Sequence, residues 1–181
     1  ANRGPVQERA GRWLHQGDSS ERALLVAARK VGLEADALDE RLPRIGEVPF
    51  SSERKLMSTV HRDTTQSRGI VFTKGAPDVL LTRCSFEVIG DGRRPLTSER
   101  RAEILQVNDA LAGEALRTLG VAGRWLPDGV LAPHDAADPD ESVERDLVFA
   151  GLIGMIDPPR PEARDAVARA KRAGIRPVMI T

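Results

Sequence analysis

A lysine at the end of an apolar segment is the first side chain that could do chemistry. The stretch "VFTKGAPDVLL", residues 71–81, leads from β-branched and aromatic residues into Lys74, Gly75, Ala76 and Pro77. Glycine allows a backbone to approach a ligand closely. Two interpretations are open: Lys74 is a solvated lysine before a turn, or its ammonium group faces an anionic ligand in a pocket beside the sheet.

A lone aromatic residue is the second candidate. Phe50 stands between Pro49 and the polar stretch "SSERK", in a chain with four Phe and no Tyr. Its ring either fills the core at the edge of a strand or stacks on a base, an interaction of about 1–3 kcal/mol. Arg54 and Lys55 follow, and each is either a solvated strand residue or a ligand contact.

Three more charged residues have both a structural and a functional interpretation. Asp18 and Glu21 in "GDSSERALL" have capping-box spacing, which competes with a role for Glu21 in binding an adenine amino group. Arg117 lies near the predicted end of a helix. Its guanidinium group either extends to the solvent-exposed surface or binds a phosphate through its planar fork of N–H groups. Asp157 follows an apolar run and precedes two prolines, so it either caps a turn or contacts a ligand.

The segments that must position these residues read mainly as antiparallel. In residues 47–63, Leu56, Ser58 and Val60 alternate with Met57, Thr59 and His61, and residues 70–73 supply a second strand, so a hairpin is predicted. Residues 17–32 predict a helix closed by Gly32, Pro77 predicts a helix start, and another helix is predicted from Thr97 or Ser98. Residues 1–17 are expected to form a loop.

The last forty residues have another pattern. The apolar run at 146–157 predicts a strand buried on both faces. A helix then buries Ala163, Ala166, Val167 and Ala170, and "IRPVMIT" predicts a further buried strand, giving a parallel β-α-β unit. We therefore place a domain boundary near residue 145, dividing the chain into 1–145 and 146–181. Because Thr181 stands at the carboxyl end of a predicted strand, we expect the chain to be a fragment.

Bulk composition narrows the function classes. With 27 basic and 27 acidic residues the formal charge is zero, which argues against a nucleic-acid binder that neutralises phosphates. No apolar run approaches the ~20 residues of a membrane-spanning helix. Cys84 is the single cysteine and the three histidines lie far apart, so neither an internal disulfide nor a zinc site is expected.

Taken in order, several motifs resemble the cytosolic region of the P-type cation-transporting ATPases, most closely the type II pumps, which include the calcium pumps. These motifs are "GDSSERALL", "PFSSERKLMS", "TKGAPDVLL", "EALRTLGVA" and "GLIGMIDPPRPEARDAVARAKRAGIRPVMIT". The resemblance implies an α+β nucleotide-binding domain with an antiparallel sheet flanked by helices. It also implies that the tail is a β-α-β stub of a phosphorylation domain of haloacid-dehalogenase type.

The resemblance also implies roles for individual residues. In the nucleotide site, Phe50 would stack on the adenine and Glu21 would lie near the adenine amino group. Lys55 and Lys74 would be the two lysines that line the pocket, with Gly75 and Ala76 as its close wall. Arg117 would reach toward the phosphates. Asp157 would begin the motif that joins the two domains, and Thr181 would begin a Thr-Gly-Asp motif. Ser52 stands where animal calcium pumps often carry an arginine, which leaves the phosphate contact weaker or supplied by Arg54.

Motifs missing from the sequence bear on activity. The phosphorylated aspartate of "DKTGT" and the magnesium-binding aspartates are not in this chain, so we expect it to bind ATP without hydrolysing it. In a full-length pump it would act at the cytoplasmic face of a membrane, with Mg²⁺ and with the phosphorylation, actuator and membrane domains as partners. Two alternatives are an interaction or regulatory domain without nucleotide affinity, and a haloacid-dehalogenase-type phosphatase, which the missing nucleophile disfavours.

Overall fold

A computed structural model of the protein describes residues 7–9, 12–14, 19–127, 140–156 and 160–178, with the backbone alone at 7–9, 12–14, 19–22 and 161. Strands β1 (Gln7–Arg9) and β2 (Arg12–Leu14) form a separate antiparallel ribbon. The expectation of a loop over residues 1–17 is therefore wrong for these six residues. These strands are three residues each, too short for an apolar alternation to be detected in the sequence.

One seven-stranded sheet organises the rest of the described fold. Its strands, in spatial order, are β3 (Arg44–Val48), β4 (Leu56–Asp63), β5 (Arg68–Gly75), β8 (Arg117–Trp125), β9 (Leu147–Met155), β6 (Cys84–Ile89) and β7 (Gly92–Pro95). Neighbouring strands are antiparallel except for β6 and β9, which are parallel. The helices are α1 (Ser19–Lys30), α2 (Ala35–Arg41), α3 (Pro77–Thr82), α4 (Ser98–Gly113) and α5 (Pro161–Arg172).

The predicted hairpin is confirmed as β4 and β5, with Leu56 opposite Gly75 and Met57 opposite Lys74. Leu56, Ser58 and Val60 are buried on one face of the sheet. Met57 and Thr59 line cavities on the other face, which we call the open face. The alternation read from the sequence therefore separates the core face from the open face.

The core lies between the sheet and helices α3 and α4. Its main cluster comprises Leu56, Leu80, Leu81, Cys84, Leu96, Ile104, Ala122, Leu147 and Phe149. Pro77 occupies the first turn of α3, as predicted. Thr97 caps α4, because its Oγ1 accepts a hydrogen bond from the Arg100 backbone N–H at 3.2 Å. The predicted starts of both helices are confirmed.

Arg117 is the first residue of β8 and does not lie in a helix, so that prediction is wrong. Helix α4 ends at Gly113, and Ala115 then adopts a left-handed φ of 62°. The Leu116 N–H donates to the Leu111 carbonyl at 3.1 Å, which is the hydrogen bond of a Schellman ending. A glycine normally marks this ending, and alanine gave no such signal.

The apolar run near residue 150 forms β9, but its environment differs from the prediction. Leu147 and Phe149 are buried, whereas Ala150 and Gly154 are exposed, so the strand is not buried on both faces. It pairs antiparallel with β8 and parallel with β6, inside the same sheet as the strands before residue 145. The division of the chain into two domains at that residue remains a prediction.

The predicted helix after β9 is confirmed as α5, but its predicted burial is wrong. Ala163, Ala166 and Val167 are exposed, and only Ala170 is partly covered. Residues 175–178 form no strand. In the described residues, therefore, no strand follows α5 to complete a β-α-β unit with β9. The rest of the predicted strand, 179–181, lies outside the described residues. No helix in the described ranges is both long enough and apolar enough to cross a membrane.

Candidate functional site

A cavity of about 440 Å³ lies at the ends of β4, β5 and β8, beside α1 and the loop that joins β3 to β4. We call it the corner cavity. Its size falls in the range of small-molecule sites, which is about 300–1,000 Å³. Six of the seven residues predicted to bind nucleotide line it: Phe50, Lys55, Lys74, Gly75, Ala76 and Arg117. Segments far apart in sequence therefore converge on one space.

One part of the corner cavity is apolar. Phe50 is 61% exposed, so its ring is not a core side chain. Leu24 of α1, Met57 of β4 and Leu119 of β8 also line the cavity. An exposed ring beside aliphatic and thioether side chains can cover a flat aromatic ligand, because stacking and apolar burial both favour that contact.

The other part of the corner cavity is cationic. Lys55, Lys74 and Arg117 all line it, and none of its described lining residues is acidic. Lys74 is half-buried near the end of β5, while Lys55 and Arg117 are exposed. Three cations without a carboxylate among them favour an anion, and Arg117 adds the planar fork that suits phosphate.

Backbone atoms make up some of the lining of the corner cavity. Lys55 has a left-handed φ of 54°, and its carbonyl accepts a hydrogen bond from the Ala76 N–H at 3.1 Å. A Cβ at Gly75 would lie 2.2 Å from the Lys55 carbonyl oxygen, so this approach requires glycine. Gly75 and Ala76 both line the corner cavity, and the close approach at Gly75 has a steric cause.

Arg54 does not line the corner cavity, so its two predicted roles, solvated strand residue and substitute phosphate contact, are both wrong. Its side chain is only 8% exposed, and its Nη1 donates to Glu144 Oε1 at 2.5 Å. Its Nη2 donates to the Pro49 carbonyl. Ser52, the position at which the resemblance leads one to look for an arginine, is exposed and does not line the cavity either.

Three predicted residues are not tested by this geometry. Glu21 belongs to α1, three positions before Leu24, but its side chain lies outside the described residues, as does all of Asp18. Asp157 and Thr181 also lie outside them. Sequence reasoning missed Leu24, Met57, Thr118 and Leu119 in the lining. For Met57 a signal existed, because the hairpin register places it opposite Lys74.

A larger concavity of about 1000 Å³ lies on the open face and shares Met57 and Lys74 with the corner cavity. Phe72, which is 41% exposed, and Trp125, which is 38% exposed, contribute to its apolar floor. Three arginines and Asp91 also line it. We take the corner cavity as the candidate site because an exposed ring and three cationic side chains line one small space there.

Comparisons with known proteins identify the family of the chain. Residues 1–162 match the family model described as P-type ATPase, cytoplasmic domain N. The chain is 42% identical over 181 residues to the calcium-transporting ATPase of Bacillus subtilis, covering 99% of this chain and 19% of that protein. It is 41% identical over 166 residues to calcium-transporting ATPase 1 of Bacillus cereus, covering 91% and 18%.

A further relative is the probable cation-transporting ATPase F of Mycobacterium tuberculosis, which is 41% identical over 175 residues, covering 94% of this chain and 18% of that protein. The chain thus spans less than a fifth of the length of these three curated relatives.

Proposed function

We propose that this chain, which belongs to the P-type ATPase cytoplasmic domain N family, binds ATP in the corner cavity. The observation that carries the proposal is the meeting of the exposed Phe50 ring with Lys55, Lys74 and Arg117 in one small cavity. A nucleoside polyphosphate has a flat apolar base at one end and several negative charges at the other. The cavity offers both matching surfaces.

In this proposal each part of the lining has its own role. Phe50 stacks on the adenine, with Leu24 and Leu119 completing the apolar surface. Lys55, Lys74 and Arg117 offset the charge of the phosphates. Glu21 accepts a hydrogen bond from the adenine amino group. Lys74 stands at its corner, on this proposal, because the nucleotide passes beside it.

The wider role proposed for the chain is to deliver ATP to an aspartate elsewhere in a membrane cation pump of the type that its relatives' names describe. Asp157 and Thr181 are proposed to lie toward the phosphorylation domain. Mg²⁺ prefers carboxylate oxygens, which the described lining of the corner cavity does not offer. We therefore assign its ligands to other parts of the pump and propose that the chain alone does not hydrolyse ATP.

Titration of the chain with ATP, without Mg²⁺, tests the proposal by NMR or calorimetry. We expect a dissociation constant of about 1 mM, on the order of −4 kcal/mol. Phe50→Ala should remove most of the binding, because no other aromatic ring lines the corner cavity among the described residues. Phe72→Ala is the matched control, since Phe72 is also exposed but lines only the larger concavity.

Two further results would test the position of the nucleotide and the expected lack of hydrolysis separately. Equal binding by the Phe50 variant and the parent would show that the ring is not the stacking surface. Turnover in a phosphate-release assay would contradict the expected lack of hydrolysis and revive the phosphatase alternative.

A second candidate function is an interaction domain without nucleotide affinity. The larger concavity favours it, because Phe72 and Trp125 expose apolar surface there. If the folded parent shows no response to millimolar ATP, this second function replaces the first.

A further inference from the structure

The loop that carries the candidate stacking ring has little apolar anchorage of its own. It runs from Pro49 to Lys55 between the buried Val48 and Leu56. Phe50 is exposed, so packing in the core does not fix its position. The loop must therefore be held by polar contacts if its ring is to face the corner cavity in one orientation.

Arg54 supplies such contacts from inside the loop. Its backbone N–H donates to Ser51 Oγ at 3.1 Å, and its Nη2 donates to the carbonyl of Pro49, the residue before Phe50. The next residue, Lys55, donates its N–H to the Ser51 carbonyl at 2.7 Å. One guanidinium thus connects both ends of the loop.

Glu144 holds that guanidinium in place. Its carboxylate is fully buried, and Oε1 accepts hydrogen bonds from Arg54 Nη1 at 2.5 Å and from Ser58 Oγ at 2.6 Å. Ser58 Oγ in turn lies 2.8 Å from Thr73 Oγ1. Glu144 is therefore fixed to β4 and β5, the two strands that end at the corner cavity.

The segment that presents Glu144 is itself anchored. It is a short 3₁₀ turn, Glu141–Glu144, whose Asp140 cap accepts a hydrogen bond from the Ser142 N–H at 2.7 Å. Val143 packs against Val60, Val71 and Leu126. The turn that carries the Glu144 carboxylate is consequently held by a cap hydrogen bond and by packing of its own.

Stability alone is a weak reason for this arrangement. Glu144 Oε2 is buried and has no hydrogen-bond partner among the described residues. Buried ion pairs often contribute less than apolar replacements of the same volume, and a buried unpaired oxygen adds a cost. Such a local cost is typical of sites where geometry serves function.

We infer that Glu144, acting through Arg54, is a positioning residue that holds the Pro49–Lys55 loop so that Phe50 and Lys55 face the corner cavity. This inference rests on the proposed binding of ATP there. Neither Glu144 nor Arg54 lines the cavity. Their effect on a ligand is therefore indirect, through the conformation of the loop.

The test compares two buried glutamates that each pair with arginine. Glu144→Gln keeps the size of the side chain and removes its charge. Glu87→Gln is the matched control, since Glu87 is buried, accepts from Arg94 Nε at 2.7 Å and from Arg100 Nε at 3.1 Å, and lies on β6, outside the corner cavity lining. Affinity for ATP is measured at a temperature where each variant is folded.

We expect the dissociation constant of the Glu144 variant to rise about tenfold, as it does when a loop keeps its binding conformation for only about a tenth of the time. The Glu87 variant should stay within about twofold of the parent. Arg54→Met should weaken binding similarly, and the double variant Arg54→Met/Glu144→Gln should lose no more than either single variant, since one acts through the other. Unchanged affinity in Glu144→Gln, or additive losses, would overturn the inference.

A second measurement keeps the inference separate from the proposed function. Amide hydrogen exchange reports the loop without nucleotide: Glu144→Gln should reduce the protection of the Arg54, Lys55 and Ala76 amides, and Glu87→Gln should not. If the parent binds no ATP, the proposed function fails, and the exchange data then support or overturn the loop-positioning role by themselves. Should Glu144→Gln not fold, Arg54→Lys carries both measurements, because it keeps the charge and loses the fork.

Discussion

The backbone N–H of Ala76 donates a hydrogen bond of 3.1 Å to the carbonyl oxygen of Lys55, and this contact joins the two segments that supply most of the candidate site. One segment carries Phe50 and Lys55, and the other carries Lys74 and Gly75. The corner cavity therefore depends on a backbone-to-backbone contact as much as on its side chains.

Gly75→Ala should disrupt that contact. The new Cβ would lie 2.2 Å from the Lys55 carbonyl oxygen and 3.0 Å from Leu56 Cα, both of them backbone atoms. We expect the free energy of unfolding to fall by about 1–3 kcal/mol, as for other overpacked sites, and ATP affinity to fall with it. Urea unfolding and titration measure the two effects.

Gly92→Ala is the control for that steric argument. Its Cβ would meet only the Ile89 carbonyl, at 3.7 Å, which is an ordinary contact. Its effect should stay within about 0.5 kcal/mol. Equal stability losses in the two variants would contradict the close-approach explanation.

The lysine at the corner should contribute charge to ligand binding. Lys74→Met should weaken ATP binding by about 1 kcal/mol, roughly fivefold, because one charged contact to the phosphates is lost. Adenosine binding should barely change, since adenosine carries no phosphate. Lys171→Met, a change on the exposed face of α5, is the control and should leave both affinities unaltered. An equal loss for adenosine would place Lys74 against the base.

Asp63 should make stability depend on acid pH. The Thr65 hydroxyl, the Thr65 and Gln66 backbone N–H groups and Arg41 donate to this carboxylate, and they lower its pKa from 3.8 to about 2. The stabilisation is complete above the unfolded-state pKa, near pH 4, and is lost as pH falls through about 2.

Urea unfolding between pH 6 and about pH 2 measures this dependence. Asp63→Asn should be less stable than the parent at pH 6, and the difference should shrink toward pH 2. Asp91→Asn, an exposed change in the turn between β6 and β7, should follow the parent throughout. A constant difference between Asp63→Asn and the parent would show that the carboxylate is not held by these donors.

Cys84 should resist thiol reagents in the folded protein. Burial raises the pKa of its thiol to about 12, and its Sγ donates to the Leu80 carbonyl at 3.2 Å. Little thiolate is present near neutral pH, and the thiolate is the reactive form. Labelling with a disulfide reagent at about pH 8 should be slow in buffer and complete in denaturant. Rapid labelling of the folded chain would show that the α3–β6 corner opens readily.

The sequence predicted best where periodicity and capping are local. The alternation through Leu56 and Met57, Pro77 at the start of α3 and Thr97 before α4 all match the structure. The convergence of Phe50 with Lys74 on one cavity could not be predicted from local patterns. These residues are separated by a loop and a hairpin, so only the family resemblance, not spacing, placed them together.

The predictions that were wrong or missing concern properties that depend on residues far apart in the sequence. An apolar run does not show whether the neighbouring strands are parallel or antiparallel. Strand β9 has one neighbour of each kind, and it was wrongly predicted to be buried on both faces. Glu144 gave no signal, because a glutamate in a polar stretch is normally solvated and its partner Arg54 is ninety residues away in sequence. Burial of such a pair is a tertiary property.

Strand β9 is laddered on both sides, to β8 and to β6, and the chain leaves it after Met155. A pull along β9 at that exit therefore loads two rows of hydrogen bonds in shear, whereas an outermost strand would have one row to resist the same pull. A displacement that reaches β9 itself is consequently passed to both neighbouring strands. The ring of Phe50 and the ammonium of Lys74 would travel together, with their mutual spacing preserved.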